Sequence, residues 1–320
     1  MFVMQRILLV KTSSLGDVIH NCPVFADIRQ HFPDALIDWV VEESFADIPR
    51  MHSGINQVYT VAFRRWRKQI LNPQIWSEIK QFKQLIVQQQ YDAVIDSQGL
   101  LKSALITRLT NGVKHGYDKQ SIRESIASRF YDKTYAISYQ QHAVTRNRTL
   151  AALSLGYAPP SNAPNYGLQA KFDLSFLLKK PFIIALHGTS RDSKLWPIEH
   201  WIELGKTLKN QQLNLLLPWS NSAELSRAEQ IANTLENVVV LPKLSITELA
   251  SVISQAKAAI GVDTGLSHLA AALNIPTIAL YTDTNPALTG VMGSQAFTVN
   301  LGDINEIPSV DIVLAHLAQI

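Results

Sequence analysis

Along both halves of this 320-residue chain, short apolar runs of strand length alternate with helix-periodic segments. Small polar turns, several carrying glycine, follow the apolar runs, and one proline- and asparagine-rich stretch breaks the alternation near the middle. Together these observations predict an α/β protein of two doubly wound, Rossmann-like domains with parallel sheets and helices on both faces. The break, Tyr157-Ala158-Pro159-Pro160-Ser161-Asn162-Ala163-Pro164-Asn165, sets the expected boundary, with domains at 1–157 and 158–320.

In chain order, residues 6–10 read as a buried strand, followed by a polar loop, Lys11-Thr12-Ser13-Ser14-Leu15-Gly16-Asp17, and a helix running towards Phe32-Pro33. Pro23 loosens the early turns of that helix. Residues 36–41 and 57–62 are the next strands. Residues 73–90 form a helix with Ile75, Ile79, Phe82, Leu85 and Ile86 on one face. Strand, turn and helix then repeat at 91–96, Ser97-Gln98-Gly99 and 100–110. Helical patterns at 121–130 and 142–155 close the first half. Beyond the break, strands are expected at 182–187, 213–217, 238–241, 258–262 and 277–281, with helices at 198–208, 223–235 and 246–256. A last amphipathic helix at 310–318 is expected to pack back across the boundary. In such folds ligands bind outside the carboxyl ends of the strands, so the glycine turns are expected to open on a cleft between the domains.

Composition narrows the function. A hydrophobic content of 47% supports a sizeable core, and a net charge of +3 is too small to imply nucleic acid. The basic residues are uneven, however, because Arg64-Arg65-Trp66-Arg67-Lys68 puts four in five positions and suggests a local anionic partner. Cys22 stands alone, which excludes an internal disulfide and a cysteine zinc cluster and fits a reducing compartment. The apolar run at 7–10 is too short for a signal-peptide core, so export is not expected. The charge-free run at 264–282 approaches spanning length. Asn274-Ile275-Pro276 in its middle ends any helix there, so it reads as helix, turn and buried strand.

Two nucleotide motifs are absent. No Gly-x-Gly-x-x-Gly follows a strand, and Lys11-Thr12 lacks the upstream glycines of a P-loop. There is no metal-ligand spacing and no Gly-x-Ser-x-Gly elbow. What remains is polar chemistry at strand ends. Val262-Asp263-Thr264-Gly265-Leu266-Ser267-His268-Leu269 reads as strand end, glycine turn and helix N-terminus, where free N–H groups and the helix dipole suit a phosphate. Thr264, Ser267 and His268 add polar groups, and the plainer alternative is that Asp263 simply caps a structural helix. The loop from His187 to Pro197 offers hydroxyls and Lys194 to a diphosphate, or is an ordinary surface loop. Glu224 suits the two hydroxyls of a ribose, but Asn221 with Glu224 also has capping-box spacing.

The 11–17 loop, Asp96-Ser97-Gln98-Gly99-Leu100-Leu101-Lys102-Ser103, the 189–197 loop, the 262–269 turn and the basic 64–68 stretch together resemble the ADP-heptose:lipopolysaccharide heptosyltransferases, in order and over nearly the whole chain. The resemblance is greatest to members that add the first heptose of the inner core. It implies a GT-B fold, with an N-terminal acceptor-binding and a C-terminal ADP-heptose-binding domain. It implies metal-independent, inverting transfer of L-glycero-D-manno-heptose from ADP-heptose to the Kdo of Kdo-lipid A, without a cofactor, at the cytoplasmic face of the inner membrane. By position the catalytic base falls on Asp17. Donor contacts fall on Thr189, Ser190, Lys194, Glu224, Leu244, Asp263, Thr264, Gly265, Leu266, Ser267 and His268. Acceptor contacts fall on Ser14, Gly16, Arg64, Arg65, Arg67, Lys68, Gln98, Lys102 and Arg123, with Trp66 anchoring its loop or meeting the lipid interface. Ser190, Leu195 and Leu244 depart from the family's threonine, histidine and methionine. A transferase of a later heptose, a GT-B sugar-nucleotide epimerase and a non-catalytic lipid- or nucleotide-binding module are the rival readings.

Overall fold

The computed structural model describes residues 4–170, 181–233 and 235–320 and divides the chain into two units, Met1–Leu168 and Gln169–Ile320. The first unit holds β1 (Arg6–Val10), α1 (Leu15–Ile19), α2 (Cys22–His31), β2 (Leu36–Glu42), α3 (Asp47–Arg50), β3 (Gln57–Val61), α4 (Phe63–Lys68), α5 (Pro73–Val87), β4 (Gln90–Asp96), α6 (Leu101–Leu109), β5 (Asn111–Tyr117), β6 (Lys133–Tyr135) and α7 (Ala143–Leu155). Its strands are all parallel in the order β3-β2-β1-β4-β5-β6. The central strand β1 is Ile-Leu-Leu-Val after its first residue and wholly buried there, as a strand covered on both faces must be. On α5 the inward positions are Ile75, Phe82 and Ile86, with Ile79 packed against the same core.

The second unit repeats the plan with β7 (Phe182–Leu186), α8 (Ile198–Asn210), β8 (Asn214–Leu217), α9 (Ser222–Ala232), β9 (Val238–Val240), α10 (Ile246–Ile253), β10 (Ala258–Val262), α11 (Gly265–Ala272), β11 (Thr277–Leu280), α12 (Pro286–Thr289), β12 (Thr298–Leu301) and α13 (Val310–Leu317). Its sheet runs β12-β11-β10-β7-β8-β9. Numbered within each unit, both sheets have the doubly wound order 3-2-1-4-5-6, whose direction of winding reverses between the first and fourth strands. The reversal falls at β1/β4 in one unit and at β7/β10 in the other.

Several expectations change. The first helix is two helices. It breaks at His20-Asn21, and Pro23 stands in the first turn of α2, where its missing N–H does no harm. The helix expected at 121–130 is a 3-10 turn over Ser125–Phe130, because the N–H groups of Ser121 and Ile122 fold back on the Asp118 carbonyl and that of Glu124 reaches Gly99. The boundary moves from 157/158 to 168/169. The Arg148 guanidinium, which forms a buried ion pair with Asp27 at 2.7 Å, also donates to the Asn162 carbonyl, and His52 bridges to Leu168. These contacts tie the proline-rich stretch to the first unit. The last helix packs within its own unit, on α8 and β11, with Val310 and Val313 in the core. The 264–282 run is α11, a left-handed turn at Asn274 and β11.

Candidate functional site

In the first unit, the loop after β1 and the loop after β4 meet at the reversal point. Gln98 Oε1 accepts the backbone N–H of both Thr12 and Ser13 at 2.9 Å. The buried Lys11 ammonium donates to the Ser97 carbonyl at 2.8 Å, and Lys102 Nζ donates to the Ser13 hydroxyl at 3.0 Å. Asp96 underpins the second loop: its Oδ1 accepts from the N–H groups of Gln98 and Gly99, and its Oδ2 accepts from the Tyr131 hydroxyl at 2.8 Å. Gly99 takes φ +68°, a turn open to glycine at no steric cost.

This clamp presents α1 with Ser14 as its N-cap. Asp17, in the first turn, accepts the Ser14 N–H at 2.7 Å and the Ser14 hydroxyl at 3.0 Å. Both bonds reach Oδ2, so among the described residues Oδ1 is unbonded. A half-buried carboxylate that is fixed through one oxygen and open at the other can take a proton from an incoming hydroxyl. Gly16 lies half-buried in the same turn. Burial pushes the Lys11 ammonium below its usual range, and Asp17 and Asp96 pull it back up.

The basic stretch is α4, and it is not uniform. Arg65 is held between Glu43 and Glu78 at 2.9 Å each, which raises its pKa. Arg65 therefore braces α4 against both carboxylates, unlike its basic neighbours. Trp66 is buried and donates its indole N–H to Glu78 at 2.9 Å, which lowers the Glu78 pKa. That assigns Trp66 to anchoring the loop. Arg64, Arg67 and Lys68 are exposed, with the Arg64 guanidinium over the Phe45 ring. Burial lowers the Lys102 pKa, with Glu42 and Glu124 opposing and Arg64 and Arg123 adding to the fall. Arg64, Lys102 and Arg123 thus share one electrostatic neighbourhood. Gln98, expected on the acceptor, has its carbonyl occupied by the loop clamp.

In the second unit, three adjacent strands deliver their loops to one knot. Asp263, after β10, accepts Lys194 Nζ at 2.6 Å and the Thr284 hydroxyl at 2.7 Å, both on Oδ2. Its backbone carbonyl accepts the Thr189 hydroxyl at 2.9 Å. Ser193 donates to Asp283 at 2.6 Å, and Thr282 donates to the Ser193 carbonyl at 2.8 Å. Lys194 is thereby held beside the start of α11, whose first residues, Gly265 and Leu266, follow Thr264 as N-cap. The unused N–H groups of that turn, beside a fixed cation, are suited to an anion. Two expected donor contacts also bond within the knot. The Asp263 carboxylate orients Lys194. The Ser267 hydroxyl donates to the Val262 carbonyl at 2.7 Å and closes the turn. His268 is buried within α11 and Ser190 is exposed on its loop.

Glu224, on α9, stands against Gly188, where a Cβ would come within 2.8 Å of its carboxyl carbon. Its Oε2 accepts the N–H and hydroxyl of Ser220 at 2.7 and 2.8 Å, and its own N–H is capped by Asn221. The cap and the ribose reading coexist, because Oε1 is unbonded among the described residues. Leu244 is half-buried in the segment after β9. Trp219 pins that segment by donating to the Leu241 carbonyl at 2.7 Å. The sequence reading missed Trp219, Asp283 and Thr284. Thr282-Asp283-Thr284 right after β11 was the available signal, since it puts small polar residues at a carboxyl strand end.

Two 3-2-1-4-5-6 units, each with a polar loop knot at its reversal point, define the two-Rossmann-unit class that contains the GT-B glycosyltransferases. Residues 79–315 match glycosyltransferase family 9 (heptosyltransferase). The chain is 46% identical over 293 residues to lipopolysaccharide heptosyltransferase 1 of Salmonella typhimurium, covering 91% of this chain and 92% of that one. It is 45% identical over 299 residues to lipopolysaccharide heptosyltransferase 1 of Pseudomonas aeruginosa, covering 93% and 84%. Among solved structures, E. coli heptosyltransferase WaaC with ADP superposes with a TM-score of 0.90 at 43% identity, covering 98% of this chain and 99% of that one. The chain belongs to glycosyltransferase family 9, the heptosyltransferases.

Proposed function

We propose that this family 9 glycosyltransferase transfers L-glycero-D-manno-heptose, with inversion, from ADP-heptose to a Kdo hydroxyl of Kdo-lipid A. The observation that carries the donor half is the Lys194 ammonium, fixed by Asp263 and Thr284 beside the N-terminus of α11. It gives the departing diphosphate a cation and helix N–H groups without a metal. Glu224 Oε1 takes the ribose hydroxyls, and the segment holding Leu244 borders the adenine. In the other unit Asp17 Oδ1 takes the proton of the acceptor hydroxyl as the new glycosidic bond forms and the sugar–phosphate bond breaks. ADP leaves with that electron pair. Arg64, Arg67, Lys68, Lys102 and Arg123 bind the acceptor's phosphates and carboxylates, and the same positive surface holds the enzyme at the cytoplasmic face of the inner membrane. No cofactor takes part. The test is acceptor dependence: ADP should appear only when ADP-heptose and Kdo-lipid A are both supplied. Turnover of ADP-heptose alone would favour an epimerase or hydrolase.

A further inference from the structure

Residues 63–83 carry six basic side chains and a single acid, Glu78, in a chain of net charge +3. With Arg65 taken by Glu43 and Glu78, the cations Arg64, Arg67 and Lys68 face solvent. Directly after them the chain turns outward with apolar side chains. Leu71 is 93% exposed, Trp76 56% and Ile70 46%. A lone exposed leucine needs no explanation, but three large apolar groups within seven residues, bordered by cations, mark an interaction surface.

The corner is built and anchored. Gln69 N–H donates to the Arg65 carbonyl at 3.1 Å and Asn72 N–H to that of Gln69 at 2.9 Å. Asn72 caps α5 by accepting Gln74 N–H at 3.0 Å. Trp66 and Glu78 fasten α4 to α5 beneath it. Trp76, though exposed, donates its indole N–H to the Ile70 carbonyl at 2.9 Å. Transfer of that ring out of water therefore strands no polar group. On α5, Lys80 and Lys83 lie four and seven residues beyond Trp76, on the same outward face, and both are exposed. Cations thus flank the apolar corner on both sides.

We propose that residues 70–76 are an insertion wedge for an anionic lipid bilayer. Ile70, Leu71 and Trp76 enter the interfacial layer. Arg64, Arg67 and Lys68 on one side, and Lys80 and Lys83 on the other, meet lipid phosphates. The choice of a bilayer over a protein partner follows from the charge pattern. Protein interfaces deplete lysine, whereas lysine stems extend along apolar surface and keep the ammonium in the headgroup layer. Each basic residue adds about fivefold to binding of an anionic surface. The wedge rests on the acceptor reading above only in that a lipid-borne acceptor needs a membrane-docked enzyme.

Salt separates the two contributions, since it screens the charges and leaves apolar insertion intact. The full chain is sedimented with vesicles of phosphatidylglycerol and phosphatidylethanolamine, and with neutral phosphatidylcholine vesicles, at low and high salt. The wild type should prefer the anionic vesicles and keep a salt-resistant fraction. The Leu71→Asn/Trp76→Gln variant should lose about tenfold or more in affinity, the loss expected for withdrawing a leucine-sized group, and lose the salt-resistant fraction. Its melting temperature and its rate on an acyl-free Kdo acceptor should be unchanged. Equal vesicle binding by variant and wild type overturns the proposal. So does a matching loss on the acyl-free acceptor, which would make the corner part of the acceptor site. A wild-type dimer that the variant abolishes would make it an interface between copies and would overturn it too. If the wild type transfers no heptose but binds vesicles through Leu71 and Trp76, the wedge stands and the enzymatic reading fails.

Discussion

Asp17 and Glu224 are built alike: each carboxylate has one oxygen held by a serine N–H and hydroxyl, at 2.7 and 3.0 Å for Asp17 and 2.7 and 2.8 Å for Glu224. A helix cap and a ligand contact are therefore not alternatives at these positions, since the cap orients the open oxygen. Asp17→Asn keeps the capping oxygen and loses the carboxylate proposed as the base. It should fold, bind ADP-heptose as before and lose roughly 100-fold or more in kcat, the usual contribution of a general base. Retention of more than about a tenth of the wild-type kcat with chemistry rate-limiting would remove Asp17 from that part. Lys194 makes a different prediction. Negative charge grows on the diphosphate as the sugar bond breaks, so Lys194→Ala should lower kcat more than it raises the donor KM. An effect confined to KM would make the lysine a docking group only.

At the scale of elements, Glu78 and Gly188 are the positions to disturb. Glu78 accepts both Arg65 and the Trp66 indole. Glu78→Ala should loosen α4, raise the acceptor KM and spare donor affinity, as steady-state kinetics in both substrates would reveal. Gly188→Ala drives a methyl group into the Glu224 carboxyl group. The donor KM should rise and acceptor binding stay, and an unchanged donor KM would take Glu224 away from the ribose. What the sequence disclosed follows the same elements. β1 and β10 were legible because strands buried on both faces read as unbroken apolar runs. β5 was not, because Asn-Gly-Val-Lys-His-Gly-Tyr contains two glycines and alternates poorly. Gly116 is there because the Tyr131 ring occupies the space of a Cβ, 2.2 Å away. The edge strands β6 and β12 are short and half-exposed and carry no periodic signal. In the site, Lys194 and the 263–268 turn were legible from strand-end polarity. The separate parts of Arg65 and Arg64 were not, because identical side chains in one run differ only by what folds against them.

At the scale of the molecule, buried histidines set its response to acid. Burial lowers His187, His52 and His115 from 6.5 to about 4 each. The folded chain keeps them neutral while the unfolded chain binds protons below 6.5. Stability is therefore lost as pH falls from about 6.5 towards 4, and His187 alone costs roughly 2 kcal/mol by pH 5. Melts at pH 7 and pH 5 should separate, and less so for His187→Asn; equal slopes would refute the assignment. With Lys194 and α11 as the proposed carriers of the diphosphate charge, activity should be insensitive to EDTA, and loss restored by magnesium would contradict that. The most direct measurement uses the purified chain, ADP-heptose and Kdo-lipid A, with the lipid product weighed by mass spectrometry. Wild type should add one heptosyl residue to the acceptor, and Asp17→Asn should add it more slowly, by roughly 100-fold or more, at equal donor occupancy. An acceptor of unchanged mass while ADP-heptose is consumed, or retention of more than about a tenth of the wild-type rate in Asp17→Asn, would contradict the account.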